Sequence, residues 1–380
     1  SDPHQAVAEL RAELDNIRQA WRWAVLNADL AGIEEGLEAL ADFYELIGLF
    51  QEAEELFGGA VSLLGHGGSD LRCHLLIKQA RFANLQGNYK AARLTVENAL
   101  RQAEQSHHPL RLAEARQLLG QILIYLGELD QAIDTLELAV TDFQALTQPR
   151  QLAFALSSLG DAYSRKHLAT EALSCLEQAL QLNKQLDNKR AQAFISGMIG
   201  NVYIYTEKYE TALAYHQNVL ARYQELDYAW GVGATFINIG LLYYYLERYQ
   251  EALTVSNEAL QISRRLGDVS SESMTLENLG TIYTARGQYP QAQHCLEQAL
   301  SLSLDIGTKL GESYVSYRLG QLCAEKGDYQ QSLAYLHQAA DLGEVVGDPK
   351  HTALCRGELG IVYHRLKDFD QAFAYYHQAI

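Results

Sequence analysis

The chain has 380 residues, 48% of them apolar, with 30 Lys and Arg against 47 Asp and Glu and a net charge of −17. It has ample material for a core but lacks the basic surface that a general nucleic-acid binder or a polybasic membrane-surface protein needs. No apolar run approaches the roughly 20 residues of a membrane span, and the five scattered cysteines and 5 prolines fit a reduced, cytoplasmic protein whose helices run unbroken.

In chain order, the opening residues do not read as a signal peptide. Residues 1–30 predict an N-terminal capping helix, over about 5–28. Residues 31–109 read as two divergent helical pairs: Ala41, Tyr44, Gly48, Phe50, Ala53 and Ala60 fit one, and Ala80, Ala83, Gly87, Tyr89, Ala92 and Ala99 the next. From 110 to 380 the pattern is strict, giving seven regular units. Gly recurs at 120, 160, 200, 240, 280, 320 and 360. Taking that Gly as an anchor, an apolar residue precedes it (Leu119, Leu159, Ile199, Ile239) and a Tyr commonly stands three after it (Tyr163, Tyr203, Tyr243, Tyr283). Ala fills +12 and +19 almost throughout.

The −1 and +3 positions share one helix face, and +12 and +19 lie two turns apart on a second helix. Gly at +7 (Gly87, Gly127, Gly287, Gly327) and at the unit ends (Gly267, Gly307, Gly347) marks turns that need a left-handed residue. The expected fold is therefore an all-α solenoid of about nine helix–turn–helix pairs, starting near 31, 71, 110, 150, 190, 230, 270, 310 and 350. One pair cannot bury its own apolar faces, so neighbours stack into one elongated superhelix. Ile380 falls at +20 of the ninth unit, so that unit reads as truncated.

These columns resemble tetratricopeptide repeats. Leu-Gly-x-x-Tyr in the first helix and Ala-x(6)-Ala-Leu in the second match that signature over about 31–380. The common unit is roughly 34 residues; the forty-residue unit is most similar to the extended subclass of the spindle-orientation adaptor LGN or Pins. Asn238-Ile239-Gly240, Asn278-Leu279-Gly280 and Gly200-Asn201 resemble that subclass. The stretch from Glu13 to Arg18, followed by Trp21-Arg22-Trp23-Ala24, resembles the helix opening the sensor array of bacterial STAND or NB-ARC signal-transduction ATPases, maltose-regulator-like. That resemblance implies an upstream nucleotide-binding domain in the full-length protein. The simpler reading is that Trp21 and Trp23 pack a capping helix onto the first pair.

No chemistry-bearing motif appears. There is no Gly-x(4)-Gly-Lys-Ser/Thr, no His-Glu-x-x-His and no Cys-x-x-Cys. The reading is a non-enzyme with no cofactor, no metal, no nucleic-acid contact and no membrane contact. His107-His108 reads as a polar loop pair, and Cys175, Cys295 and Cys323 as small packing residues.

With −1 and +3 buried, helical phase turns positions +1, +4 and +5, and −2, −3 and −6, toward an inner wall. The resemblance implies the same lining. The fourth pair then offers Phe154, Ser157, Ser158, Asp161 and Arg165, the fifth Phe194, Asn201 and Tyr205, and the sixth Ile237, Asn238, Tyr244 and Tyr245. The seventh offers Met274, Glu277 and Asn278, and the eighth Tyr314, Tyr317, Arg318 and Gln321. No lysine stands at these positions. Tyr244 and Tyr245 are either groove contacts or packing between pairs. Arg318 and Arg365 either meet an acidic ligand group or pair with an acid such as Glu325 or Glu358. The expected partner is a peptide or protein bound in this groove by the sensor module of a bacterial signal-transduction protein; the alternatives are a small molecule such as a sugar, or a free-standing scaffold that self-associates.

Overall fold

The computed structural model describes residues 13–63 and 69–379. Within them stand nineteen α-helices. The first, α1 (Leu14–Leu26), precedes nine pairs. These are α2 (Leu30–Ile47) with α3 (Phe50–Leu63), α4 (Ser69–Leu85) with α5 (Tyr89–Ser106), α6 (Pro109–Tyr125) with α7 (Leu129–Ala145), α8 (Pro149–Arg165) with α9 (Ala169–Gln185), and α10 (Lys189–Tyr205) with α11 (Tyr209–Glu225). Then come α12 (Ala229–Tyr245) with α13 (Tyr249–Leu266), α14 (Val269–Ala285) with α15 (Tyr289–Asp305), α16 (Lys309–Lys326) with α17 (Tyr329–Val346), and α18 (Pro349–Arg365) with α19 (Phe369–Gln378). The all-α reading of nine pairs behind an N-terminal helix holds. The first part of that helix, expected from about residue 5, and Ile380 lie outside the described residues. The helices gather into two compact units, one ending at Gln148 and the other beginning at Pro149.

Each turn is built the same way. A left-handed residue falls about every twenty positions, and the following N–H reaches back to a carbonyl five residues earlier, as in Glu128 N to Leu123 O at 3.0 Å. Glycine takes the position at Gly87, Gly127 and Gly287, but His167, Glu207, Glu247 and Lys367 adopt it too. Side chains close several helix starts, Asp268 Oδ1 accepting from Ser271 N at 3.0 Å and Asp348 Oδ1 from His351 N at 2.9 Å.

The anchor glycines let the two helices of a pair touch. A Cβ on Gly120 would lie 2.4 Å from Leu136 Cγ, and one on Gly280 2.5 Å from Leu296 Cγ. The knob in that hole is therefore the +16 residue, a column the sequence pattern did not single out. It is Leu136, Leu176, Leu296 and Leu336 in four pairs but His216 and Ser256 in the fifth and sixth. Ala252, Ala292 and Ala299 are fully buried around it with Leu276, Leu279 and Ile282. The +3 tyrosines Tyr243 and Tyr283 pack at the margin of this core, half-buried.

In the first unit Trp21 seats α1 by meeting the Phe57 ring edge-on at 5.6 Å, whereas Trp23 is 62% exposed; the capping contact is made by one tryptophan. In the second unit first helices of successive pairs touch at α8 with α10, α12 with α14, α14 with α16 and α16 with α18, though less at α10 with α12. No comparable contact joins neighbouring second helices among the described residues. The layer whose members touch lies on the inside of a bend. Five first helices side by side would span about 40 Å if straight, at about 10 Å each. Yet Lys350, at the start of α18, sits 5.9 Å from the ring centre of Tyr205, at the end of α10. The inner wall of this unit curves back on itself.

Candidate functional site

The inner wall of the second unit carries the candidate residues, and they divide into two groups. One group is knitted together. Arg318 Nε donates to Glu277 Oε1 at 3.3 Å, reaching from α16 to α14, and Arg318 Nη1 donates to Gln321 Oε1 at 3.1 Å. Gln321 Nε2 donates to the Tyr317 hydroxyl at 2.9 Å and to Glu358 Oε2 at 3.3 Å. The Tyr314 hydroxyl donates to Asp348 Oδ2 at 3.2 Å, while its ring lies flat on His351 with centres 3.9 Å apart. Side chains of this length, on helices about 10 Å apart, reach one another before they reach open solvent. Of the two readings of Arg318 and Arg365, the structure shows pairing within the chain, Arg318 with Glu277 and Arg365 with Glu325 at 3.3 Å.

Burial sets the electrostatics of this group. It pushes the Glu277 carboxyl up, with Arg318 partly offsetting it. It opposes the charge of Arg318 too, but Glu277 and Tyr317 outweigh it and the guanidinium is held above its usual value. Burial raises the Tyr317 hydroxyl to about 12 and pulls the buried His351 imidazole down. Further along the wall, Tyr205 is half-buried beneath Lys350, a lysine that the phase argument missed because it acts from the helix start. His351 was also missed. The signal was present: at nine before the anchor, five other regular units carry Gln151, Ala191, Gly231, Ser271 and Gly311.

The second group faces outward from that network. At six before the anchor stand Phe154, Phe194 and Met274, each 51% exposed, and Leu354, 52% exposed. They form one column on α8, α10, α14 and α18, interrupted by Ala234 and by the inturned Tyr314. Asn238 and Asn278 are half-buried on adjacent pairs, and among the described residues neither side chain has a hydrogen-bond partner. The third asparagine differs: Asn201 Oδ1 lies 3.2 Å from Nε2 of the fully buried His216 on α11. Asp161 pairs with Arg165 along α8 at 3.1 Å. Tyr244 packs against the core, and Tyr245, 43% exposed, stacks on Tyr209 of the preceding pair at 5.0 Å. Three expected wall residues are instead buried. Ser157 and Ser158 turn their hydroxyls onto the carbonyls of Ala153 and Phe154, and Ile237 joins the interior.

Among the described residues no group of three or more His, Cys, Asp or Glu is placed to hold a metal ion, and no helix is long and apolar enough to cross a membrane. His108 serves as a helix cap, its Nδ1 accepting from Arg111 N at 3.4 Å.

Tetratricopeptide repeat models match residues 151–225, 231–305 and 312–380, and a second such model matches 113–141. No curated protein matches the sequence. Among solved structures, a Rap protein complexed with Competence and Sporulation Factor is similar with a TM-score of 0.64 and 18% identity, over 91% of this chain and 96% of that one. The Rap conjugation gene regulator of the plasmid pLS20, in complex with the Phr* peptide, gives 0.60 and 14% over 96% and 93%. A STAND protein with a tetratricopeptide repeat sensor from Pyrococcus horikoshii gives 0.51 and 16% over 85% of this chain and 45% of that one. At these identities the likeness is one of fold.

Proposed function

The chain belongs to the tetratricopeptide repeat family, and on that premise we propose that its second unit is a binding module for an extended peptide or protein segment, acting by binding and without a catalytic step. The observation that carries this reading is the column of half-exposed Phe154, Phe194, Met274 and Leu354 along the inner wall, beside the unpartnered amides of Asn238 and Asn278. Large apolar side chains aligned at solvent mark a surface kept for a partner. An extended peptide has main-chain donors and acceptors every residue, which Asn amides match in both senses. The knitted group of Arg318, Glu277, Tyr314, Tyr317 and Gln321 ties α14, α16 and α18 together, holding the curvature instead of gripping the ligand. Two of the similar structures are described with a bound factor or peptide, which is consistent with this use of the fold.

The experiment is peptide selection from a display library on the intact chain, followed by fluorescence titration of the best peptide. Phe154→Ala with Phe194→Ala is expected to weaken it at least tenfold with an unchanged melting curve, and Asn238→Ala with Asn278→Ala to weaken it by a similar factor. Wild-type affinity retained in both variants removes the inner wall as the site.

A second reading makes the array the sensor of a larger cytoplasmic signal-transduction switch; the protein from P. horikoshii, of which this chain spans 45%, is described as a STAND protein with a tetratricopeptide repeat sensor. Ligand would then bias the switch only through its difference in affinity for two curvatures of the wall. Reading the coding sequence upstream of Ser1 for Gly-x(4)-Gly-Lys-Ser/Thr tests it directly.

A further inference from the structure

The fifth pair, α10 with α11, carries a polar residue at three positions where both of its neighbours carry a large apolar one, and all three open onto one place. Eight before the anchor, the fourth and sixth pairs carry Leu152 and Val232, and the fifth carries Gln192. Four before, the neighbours carry Leu156 and Phe236, and the fifth carries Ser196. Twenty-two after, they carry Leu182 and Ile262, and the fifth carries Arg222. In a repeat array the neighbours show what packing alone requires, so departures concentrated at one spot point to a use other than packing. Here the missing apolar bulk leaves a cleft of about 370 Å³ between α9, α10 and α11. That volume lies within the range of small-molecule sites, roughly 300–1,000 Å³. Its upper walls are second helices, so it is separate from the inner wall of first helices.

The lining has a definite chemistry. Lys184 of α9 and Arg222 of α11 both border the cleft, in a chain of net charge −17, and no acid is among the lining residues. Among the described residues neither makes an ion pair, and Arg222 Nε donates only to Asn218 Oδ1, at 3.4 Å. Burial, with Tyr203 and then Glu177 adding to it, raises the Tyr215 hydroxyl. Tyr215 is held as a fixed aromatic wall by stacking on Tyr203 at 5.4 Å. Gln192 is oriented by donating Nε2 to Asn183 O at 3.1 Å, which leaves its Oε1 free to accept. Lys184 and Arg222 also sit in the last turns of their helices, where a cation is favoured by the helix dipole. That accounts for their sign, but not for Arg222 in place of an apolar residue, nor for Ser196.

We propose that this cleft binds a small organic anion, its carboxylate or phosphate held between Lys184 and Arg222 and its body laid against the Tyr215 ring. The guanidinium supplies paired donors matched to such groups, and charge-assisted bonds are the strong ones.

The test is saturation-transfer NMR on the intact chain with benzoate, phenyl phosphate and, as neutral control, benzamide. At least one anion binds saturably in the millimolar range and benzamide does not; which anion binds identifies the acidic group. Arg222→Leu installs the residue type of the neighbouring pairs, so it folds, and it weakens the anion about tenfold or more. Ser196→Leu fills the cleft and abolishes the signal; should that variant unfold, Arg222→Leu decides alone. The proposal is overturned if benzamide binds as well as benzoate, if folded Arg222→Leu binds the anion unchanged, or if neither anion saturates.

Discussion

At Gly280 an added methyl would meet Leu296 Cγ at 2.5 Å and the Ala292 carbonyl at 3.4 Å, with the backbone of α15 behind both. At Gly36, inside α2, it would meet nothing within 4 Å. Gly280→Ala is therefore expected to destabilise by roughly 1–3 kcal/mol through overpacking. Gly36→Ala should gain about 1 kcal/mol, because Ala loses less backbone freedom in a helix. Urea denaturation midpoints of the two variants must move in opposite directions; a gain at Gly280 would remove the close-approach role of the anchor column. The turns give the converse case. Glu247 is held at φ +58, a left-handed conformation that costs an L-residue about 1–2 kcal/mol and glycine almost nothing. Allowing for the extra freedom glycine brings to the unfolded chain, Glu247→Gly should raise stability by about 0.5–1 kcal/mol in the same assay. The period is visible in the sequence where glycine marks it, at Gly87, Gly127 and Gly287. It is silent at His167, Glu207 and Glu247, where the hydrogen bonds of the turn impose the conformation on residues whose own preference lies elsewhere.

Helix pairs and their faces follow from spacing alone, since −1 with +3 and +12 with +19 fix which side of each helix is buried. Phe154 and Phe194 stand exposed where that phase puts them. What spacing does not fix is whether inward side chains find one another. Arg318 reaches Glu277 across 41 residues, and Lys350 covers Tyr205 only because the wall curves, a property of helix packing angles that no single column encodes. The +16 column went unread for a related reason: its residues matter as partners of a glycine on another helix, and Leu is common enough to pass unnoticed until His216 and Ser256 interrupt it. Tyr245 shows how one side chain serves both readings left open by the sequence, stacked on Tyr209 at 17° between planes while 43% exposed. Tyr245→Ala should therefore lower thermal stability, by about 1 kcal/mol beyond the lost burial. Adding Tyr209→Ala to that variant should cost less than Tyr209→Ala alone, since the partner ring is already gone. Strictly additive losses in this cycle would mean that the two rings do not interact.

The two units respond to acid through different groups. In the first, Glu38 is held down to about 2, chiefly by its hydrogen bond with His74 at 2.7 Å and also by Lys78 at 2.6 Å. A carboxyl depressed on folding contributes stability above its unfolded value near 4.5, and that stability is lost as pH falls toward 2. Glu38 is more than half exposed, so solvent screening leaves this contribution at about 1 kcal/mol or less. In the second unit, burial pulls His216 down to about 4 from 6.5. Its neutral form is favoured in the fold, so stability is full above pH 6.5 and is lost as pH falls through 6.5 toward 4, by at most about 3 kcal/mol. His351, also lowered by burial, acts in the same sense, while Glu277, raised by burial, opposes it. The decisive comparison is therefore between variants: His216→Leu, which installs the residue that four other pairs carry, should flatten the pH dependence between 6.5 and 4 and leave the step below 4.5 intact. Trp230 lies in the second unit and Trp21 and Trp23 in the first, so tryptophan fluorescence of a Trp21→Phe, Trp23→Phe background reports the second unit alone. With His216 intact, that signal should change at higher pH than the Trp21 and Trp23 signal followed in a Trp230→Phe chain. If His216→Leu leaves the Trp230 transition where it was, the buried imidazole is not what ties the second unit to pH.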